Sequence, residues 1–449
     1  MLGGATNLIG TEQLALRKRY LTFALLLLAL NTASSLFFMA RITRPVFDDQ
    51  YNIVDVKRYA ADGITRDSLS KHVNPPGPTS FAWMAGAVRA IGGDSVRDAR
   101  LGALVSWLIL AGCIVFFGRL ARLDSTELWY AALLVTMAFP HTQMAMATVL
   151  TEGPAALFAL LGVMAWAAFM AAEQVTPAIF ALCVAGGLSI GIAVTARQYY
   201  LALLACWPLL ILYRWWRGRL TGAAVAAAFA SGAAAVIPIL CLIVAWHGLQ
   251  SPGMVSGASY VKWNSKVGFN VIRPLIAAFY VGLYFFPLTI TEALRDRLAR
   301  DKKVWALALF GGIAMALIGA GFVQPGPLHT LLKAGDRIPH GANLLLALIA
   351  AVTIYNFALF VDSAWERRNE LVAKPVALIS ILVVGFFVLE QVGVGGNIPF
   401  YDLYVLQIAP FLGIAAFAVY PRLSRSRLVP LAMLWVIGEI TLWRYLWRT

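Results

Sequence analysis

About thirteen apolar runs divide this chain of 449 residues, and each has the length, or nearly the length, needed to cross a bilayer core as a helix. They fall at 21–40, 101–118, 128–143, 153–172, 178–195, 198–213, 221–246, 271–291, 304–323, 343–362, 374–391, 402–420 and 428–446. A chain built this way is expected to be an all-α polytopic membrane protein. With 60% hydrophobic and only 13% charged residues it is neither an ordinary soluble enzyme nor a disordered chain. No small-residue cleavage site follows the first run, so that run is expected to be kept as the first helix. Cys113, Cys183, Cys206 and Cys241 lie inside apolar runs with no CxxC spacing, and they read as small core residues rather than disulfides or metal ligands.

The formal net charge is +14, yet the basic residues are not interleaved with aromatics as a nucleic-acid face would need, and no nucleic-acid partner is expected. They form short clusters between runs, the pattern that orients a membrane protein. With Arg17, Lys18 and Arg19 holding the N-terminus in the cytoplasm, GRLARL, YRWWRGR, ALRDRLARDKK, WERRNELVAK and PRLSRSR all fall in cytoplasmic loops, provided that 177–216 crosses twice. AAEQVTP is the inner loop that breaks the pattern. Trp215 and Trp216 read as an interfacial anchor on that side.

The outer face then collects Asp48, Asp49, Glu152, Arg197 and all five histidines, His72, His141, His247, His329 and His340. It also carries the long connections 41–100, 247–270 and 323–343. In the first of these, DVKRYAADGITRDSLS has helix-like mixed polarity, and PTSFAWMAGAVRAIGG reads as an amphipathic helix lying on the membrane surface. Neither an internal repeat nor a separate soluble domain is evident, so residues 1–449 read as a single transmembrane domain.

FDDQYN, at 47–52, places two carboxylates directly after the first run. Such a pair is either a solvated helix end or the seat of chemistry. The segments FDDQYNIVDVKRYAADG, HVNPPGPTSFAWM, FPHTQMAMATVLTEGPAALFALL, TARQYYLALL and HTLLKAGDRIPH occur in an order that resembles one family of the GT-C superfamily of integral membrane glycosyltransferases. That family is the dolichyl-phosphate-glucose-dependent alpha-1,2-glucosyltransferases. Asp48 falls on the family's Asp and Asp49 on its Glu. Departures are Asp49 itself, Asn52 where the family has His, and Tyr401-Asp402-Leu403-Tyr404, which lacks an Arg-Tyr pair. The resemblance implies a GT-C-like fold with a long first outer loop. It also implies transfer of a hexose, glucose favoured, from a polyprenyl-phosphate-linked donor to a lipid-linked or cell-envelope glycan. That donor is a substrate, and no cofactor is implied.

Inverting transfer needs a carboxylate to take the proton of the attacking hydroxyl, and a phosphate leaving group favours fixed cations and N–H donors. The base is Asp48 or Asp49, with Asp48 preferred by its match to the family's Asp. Arg197 would face the phosphate, because a guanidinium matches phosphate oxygens in pairs; its alternatives are to pair with Glu152 or to snorkel to the interface. Glu152 is a candidate for substrate binding or simply an acid favoured at a helix start. Asp336, Arg337 and His340 read as a polar patch for donor phosphate or acceptor sugar, or else as an ordinary loop. His72 is a further binding candidate, and the resemblance adds Tyr51 and Gln198. The histidines are too scattered for zinc, and no metal is expected.

Two other readings stay open. One is a GT-C mannosyl- or arabinosyltransferase; the other is a transporter or lipid flippase, for which Tyr355, Asn356 and Glu439 inside apolar runs speak. Usage rich in Ala, Gly and Arg points to a bacterial inner membrane with the active face periplasmic; an endoplasmic-reticulum enzyme facing the lumen would share the topology.

Overall fold

The computed structural model describes residues 3–46, 48–74, 77–93, 95–120, 126–256, 269–289, 302–323, 327–393, 400, 402–421 and 425–447. Among them there are helices and no strands. The first half comprises α1 (Gly3–Arg41), α2 (Asp49–Asp62), α3 (Arg66–Ser70), α4 (Pro78–Ile91), α5 (Val96–Leu120), α6 (Thr126–Ala138), α7 (Thr142–Ala147), α8 (Glu152–Ala171), α9 (Pro177–Ala196), α10 (Leu201–Trp216) and α11 (Gly222–Trp246). The main helices that follow are Arg273–Thr289, Lys302–Ile318, Gly341–Glu366, Pro375–Glu390, Ala409–Val419 and Leu428–Trp447. Each of the apolar runs is therefore largely helical where it is described, with a turn at 139–141 dividing the run 128–143 into α6 and α7. Six helices among the described residues are long and apolar enough to span a bilayer. The protein is an all-α polytopic integral membrane protein.

α1 extends further than its apolar run, because no Gly or Pro interrupts residues 11–41 and the helix continues through Arg17–Arg19. Residues 177–216 form two helices, α9 and α10, as the alternation of basic loops requires. Thr176 opens α9 by accepting the Ile179 N–H at 3.3 Å, with Pro177 in the first turn. α9 lies against α11 at van der Waals distance: a Cβ on Gly187 would overlap the Ser231 carbonyl. Small residues at this seam let the two apolar helices pack closely, and Ser231 of α11 donates to the Cys183 carbonyl of α9 at 2.7 Å.

On the face opposite Asp48, basic residues close helix ends. Arg214 is buried and donates to the carbonyls of Phe169 and Ala172 at the end of α8 and to that of Arg219. Arg367 does the same for Ala418 and Val419. Unpaired carbonyls and the negative end of the helix dipole both attract a guanidinium there. Trp215 and Trp216 are exposed beside Arg214, as an interfacial anchor should be. Most of ALRDRLARDKK, and residues 257–268 of the outer connection 247–270, lie outside the described residues.

The first outer loop folds into α2, α3 and α4. α4 is amphipathic, but its apolar face (Phe81, Met84, Ala85 and Val88) is buried with Ile53, Val56, Tyr59, Ala99 and Ala103. Protein takes the place that the amphipathic pattern assigned to lipid, because α2 and α5 present a matching apolar stripe. All four cysteines are free thiols; Cys183 and Cys206 are buried, whereas Cys241 is exposed on α11 and is not a core residue.

Candidate active site

Asp49 opens α2 with its carboxylate fully buried. Its Oδ2 accepts from Arg100 Nε at 3.0 Å, Arg100 Nη2 at 2.6 Å and the Val46 N–H at 3.2 Å, while Oδ1 accepts from the Val149 N–H at 2.5 Å. Arg100, also buried, donates to the carbonyls of Ile42 and Arg44 as well. One ion pair thus ties the end of α1, the start of α2, the start of α5 and the turn before α8. With both oxygens occupied by N–H donors, Asp49 is a structural anchor. Of the two acids named as candidate base, with Asp48 preferred, Asp49 is the one whose oxygens are taken by N–H donors.

Asp48 is different. It is partly exposed at the N-cap of α2 and makes no side-chain capping bond. Burial, and next the Glu152 carboxylate, push its carboxyl up to about 6; Arg197 opposes them and Asp49 adds a smaller increase. Asp48, Glu152 and Arg197, far apart in sequence, therefore share one electrostatic site.

Short-range bonds explain how they meet. Asn52 donates to the Val149 carbonyl at 2.6 Å, fixing α2 to the turn that ends at Glu152. Ser80 donates to the Thr151 carbonyl at 3.0 Å, and Thr79 shares a 2.8 Å hydrogen bond with Thr195, two residues before Arg197. Gly77 lies so close to Thr195 that a Cβ would overlap its carbonyl. The Gly-Pro-Thr-Ser segment at the start of α4 is thus the fastening between the Glu152 and Arg197 elements, and Gly77 is there because nothing larger fits.

Glu152 is fully buried, with Oε1 accepting from Arg197 Nη2. Its Oε2 and the Arg197 Nε–H have no hydrogen-bond partner among the described residues. Arg197 ends α9, before the 3-10 turn Gln198–Tyr200, and is partly exposed. The ion pair and the binding role foreseen for Arg197 are compatible, since Nε and part of the guanidinium remain uncommitted.

Behind Arg197 lies a second arginine. Arg273 is buried at the start of its helix, donates through Nη2 to Gln391 Oε1 at 3.1 Å, and stands 5.7 Å from the Phe400 ring centre. Tyr199 is buried near the charges of Arg273 and Arg197, and its ring lies 4.7 Å from that of Tyr404.

His72 is buried rather than presented to a substrate. Its Nδ1 lies 3.1 Å from Asp55 Oδ2 and 3.1 Å from the Tyr59 hydroxyl, and its ring stacks on Trp246. Ser251 donates to its carbonyl. This makes His72 the keystone joining α2, α4 and the end of α11, in place of the binding role foreseen for it. Asp55 also accepts from Asn74 Nδ2 at 2.6 Å and Arg58 Nη1 at 2.5 Å. Burial alone would raise its pKa, but the hydrogen bond and charge of His72, the bond from Asn74 and the charge of Arg58 outweigh it, and the carboxyl is held below its usual range. Its folded pKa being lowered, Asp55 stabilises the fold above the unfolded value near 3.8, and this is lost as pH falls through the folded value. Asp55→Asn is expected to cost about 2 kcal/mol at pH 7. The gap in unfolding temperature from wild type should close at pH below about 4.

Asp336, Arg337 and His340 are exposed after the helix Pro327–Gly335 and make no hydrogen bond or ion pair with the Asp48 cluster among the described residues. The polar patch read from HTLLKAGDRIPH is, in this structure, a solvated turn. Tyr51 and Gln198 are exposed on the Asp48 and Arg197 elements respectively. Arg100, Asp55, Arg273 and Tyr199 escaped the sequence reading. Arg100 and Arg273 did carry a signal: each opens an apolar run at the outer face, just as Arg197 closes one.

No family model matches the chain, and no curated protein matches it significantly. Among solved structures, an oligosaccharyltransferase from Archaeoglobus fulgidus, in complex with zinc and sulfate, aligns over 93% of this chain and 53% of its own, with a TM-score of 0.50 and 13% identity. The chain spans about half the length of that enzyme. AglB from the same organism, in complex with an inhibitory peptide and a dolichol-phosphate, covers 93% of this chain and 56% of its own with a TM-score of 0.46 and 12% identity. ArnT from Cupriavidus metallidurans, bound to undecaprenyl phosphate, covers 94% and 77% with a TM-score of 0.39 and 15% identity. The likeness is one of fold, shared with that oligosaccharyltransferase, and no match singles out the alpha-1,2-glucosyltransferases.

Proposed function

We propose that the protein is a membrane glycosyltransferase that moves a hexose, glucose favoured, from a polyprenyl-phosphate-linked donor to a lipid-linked or envelope glycan, with Asp48 as general base. The observation that carries this reading is Asp48 itself. It is a partly exposed carboxylate, free of capping bonds, held beside a buried Glu152–Arg197 pair at one face of a GT-C fold. ArnT and AglB, whose structures contain undecaprenyl phosphate and dolichol-phosphate, support the donor class. The distribution of basic loops supports a periplasmic or lumenal active face.

In the reaction, an acceptor hydroxyl oxygen attacks the anomeric carbon and its proton passes to Asp48. The bond from that carbon to the phosphate oxygen breaks, and its electron pair leaves with the polyprenyl phosphate. Arg197 faces the charge that grows on the phosphate, and Glu152 holds the arginine in place. The polar groups converge at one face, where a lipid-borne donor meets a water-borne acceptor, which favours transfer over transport.

The test is sugar transfer by the purified protein, with a panel of polyprenyl-phosphate sugars offered against extracted lipid-linked glycans. A base must be ionised to act, so kcat/KM is expected to rise with pH through about 6, the value to which Asp48 is pushed, and to level off above it. A profile that stays flat from about pH 4 to 8 contradicts Asp48 as the base.

A further inference from the structure

We propose that the cleft between the helices Gly341–Glu366 and Pro375–Glu390 binds one anionic phospholipid, with its phosphate on Arg368 and an acyl chain along the cleft. The two helices are joined by the short helix Arg368–Val372, yet each packs elsewhere. Gly341–Glu366 lies on Lys302–Ile318 and Arg273–Thr289, whereas Pro375–Glu390 lies on α10 and Ala409–Val419. Between them they leave a cavity of about 400 Å³. It runs from Phe357 to Arg368 on one side and from Leu378 to Leu389 on the other, a length of roughly 16 Å at the rise of an α-helix. That is about half of a hydrocarbon core, the depth of one leaflet.

The walls are apolar, and Arg368 is the one charged group among the lining residues. It lies at the end of the cleft on the face opposite Asp48, next to Arg367, whose guanidinium closes the helix Ala409–Val419. Glu370 is taken by Arg367 and Lys374, and no carboxylate pairs with Arg368 among the described residues. Arg368 donates one N–H to the Trp365 carbonyl at 3.0 Å and stands 4.9 Å from the Trp365 ring centre. Its other N–H groups suit a phosphate, whose oxygens a guanidinium meets in pairs. Trp365 is exposed, as an aromatic at headgroup depth should be.

Gly385 holds the cleft open. Glycine weakens a helix interior, and elsewhere in this bundle close backbone contact requires it: Gly187 meets Ser231, and Gly282 meets Thr353. A Cβ on Gly385 would meet nothing within 4 Å. What its missing side chain leaves is room in the cleft. An apolar space beside lipid takes up hydrocarbon, and a cation at its mouth selects a chain that carries an anion.

Native mass spectrometry of the delipidated full chain in detergent tests this, with phosphatidylglycerol or phosphatidylcholine of the same acyl chains added back. Wild type is expected to retain one phosphatidylglycerol, with about fivefold preference over phosphatidylcholine. Arg368→Gln should remove the preference and leave phosphatidylcholine retention unchanged. Arg368→Lys, which keeps the charge, should keep most of the preference. Gly385→Leu should lower retention of both lipids about tenfold without lowering the unfolding temperature, because the new side chain enters the cleft.

Equal retention of the two lipids by wild type would mean ordinary boundary lipid only, and overturns the proposal. So does a preference that survives Arg368→Gln, and so does unchanged retention in Gly385→Leu. Displacement of phosphatidylglycerol by undecaprenol, which has a long chain but no phosphate, would assign the cleft to a polyprenyl chain and overturn it as well. The lipid site stands apart from the glycosyltransferase reading, and none of these readouts requires turnover.

Discussion

Asp48→Asn is expected to lower kcat for sugar transfer by about a hundred- to ten-thousandfold, the range typical of a lost general base, with donor binding nearly unchanged. The replacement is isosteric and cannot accept the hydroxyl proton. It disturbs little else, because Asp48 makes no capping bond and Asn is itself tolerated at an N-cap. Measuring kcat at saturating donor beside direct donor binding separates the two effects. If kcat survives, Asp48 is only a charge at the rim of the site, and the base lies elsewhere. Asp49→Asn gives a contrasting result: it loosens the fold first and lowers activity only as the site loses shape, since the Asp49 oxygens are held by Arg100, Val46 and Val149.

Arg100→Met carries the largest expected stability change. Both members of the Arg100–Asp49 pair are fully buried, and removing the arginine leaves a carboxylate without its counter-ion in a low-dielectric interior. A loss of about 3–5 kcal/mol is expected. Thermal unfolding in detergent should show it, together with lost transfer activity, because Arg100 holds the turn that carries Asp48. The double variant Arg100→Met with Asp49→Asn should recover part of the loss, as no bare charge is then buried. A single variant as stable as wild type would mean that the Ile42 and Arg44 carbonyls, not the ion pair, hold this corner.

Much of the scaffold was legible because bilayer thickness acts on the chain locally. A run of apolar residues of the right length becomes a spanning helix whatever its neighbours are, and the basic clusters between runs record the direction of each crossing. Thr176-Pro177 and Gly77-Pro78 are legible for a similar reason, since capping and Pro geometry involve only a few adjacent residues. The resemblance in FDDQYN and TARQYY then marked Asp48 and Arg197, and Thr-Glu marked the start of α8. The structure brings these three together.

Roles within the site were not legible. Asp48 and Asp49 are adjacent and chemically identical, and nothing local separates a saturated anchor from an open carboxylate. Their difference comes from Arg100 and Val149, which reach Asp49 from distant parts of the chain. His72 looked like a binding residue because histidine before Pro-Pro-Gly is conspicuous; Asp55 and Trp246 make it a keystone. Asp336, Arg337 and His340, a polar patch in sequence, are left exposed by the packing.

The sequence by itself therefore determined the membrane class and the helices, because transfer from water to lipid depends on local composition. Only the tertiary structure decided which acid is open and which arginine is paired. Those outcomes depend on desolvation and hydrogen-bond partners supplied by residues remote in the chain, and such partners leave no trace in the local order of the amino acids.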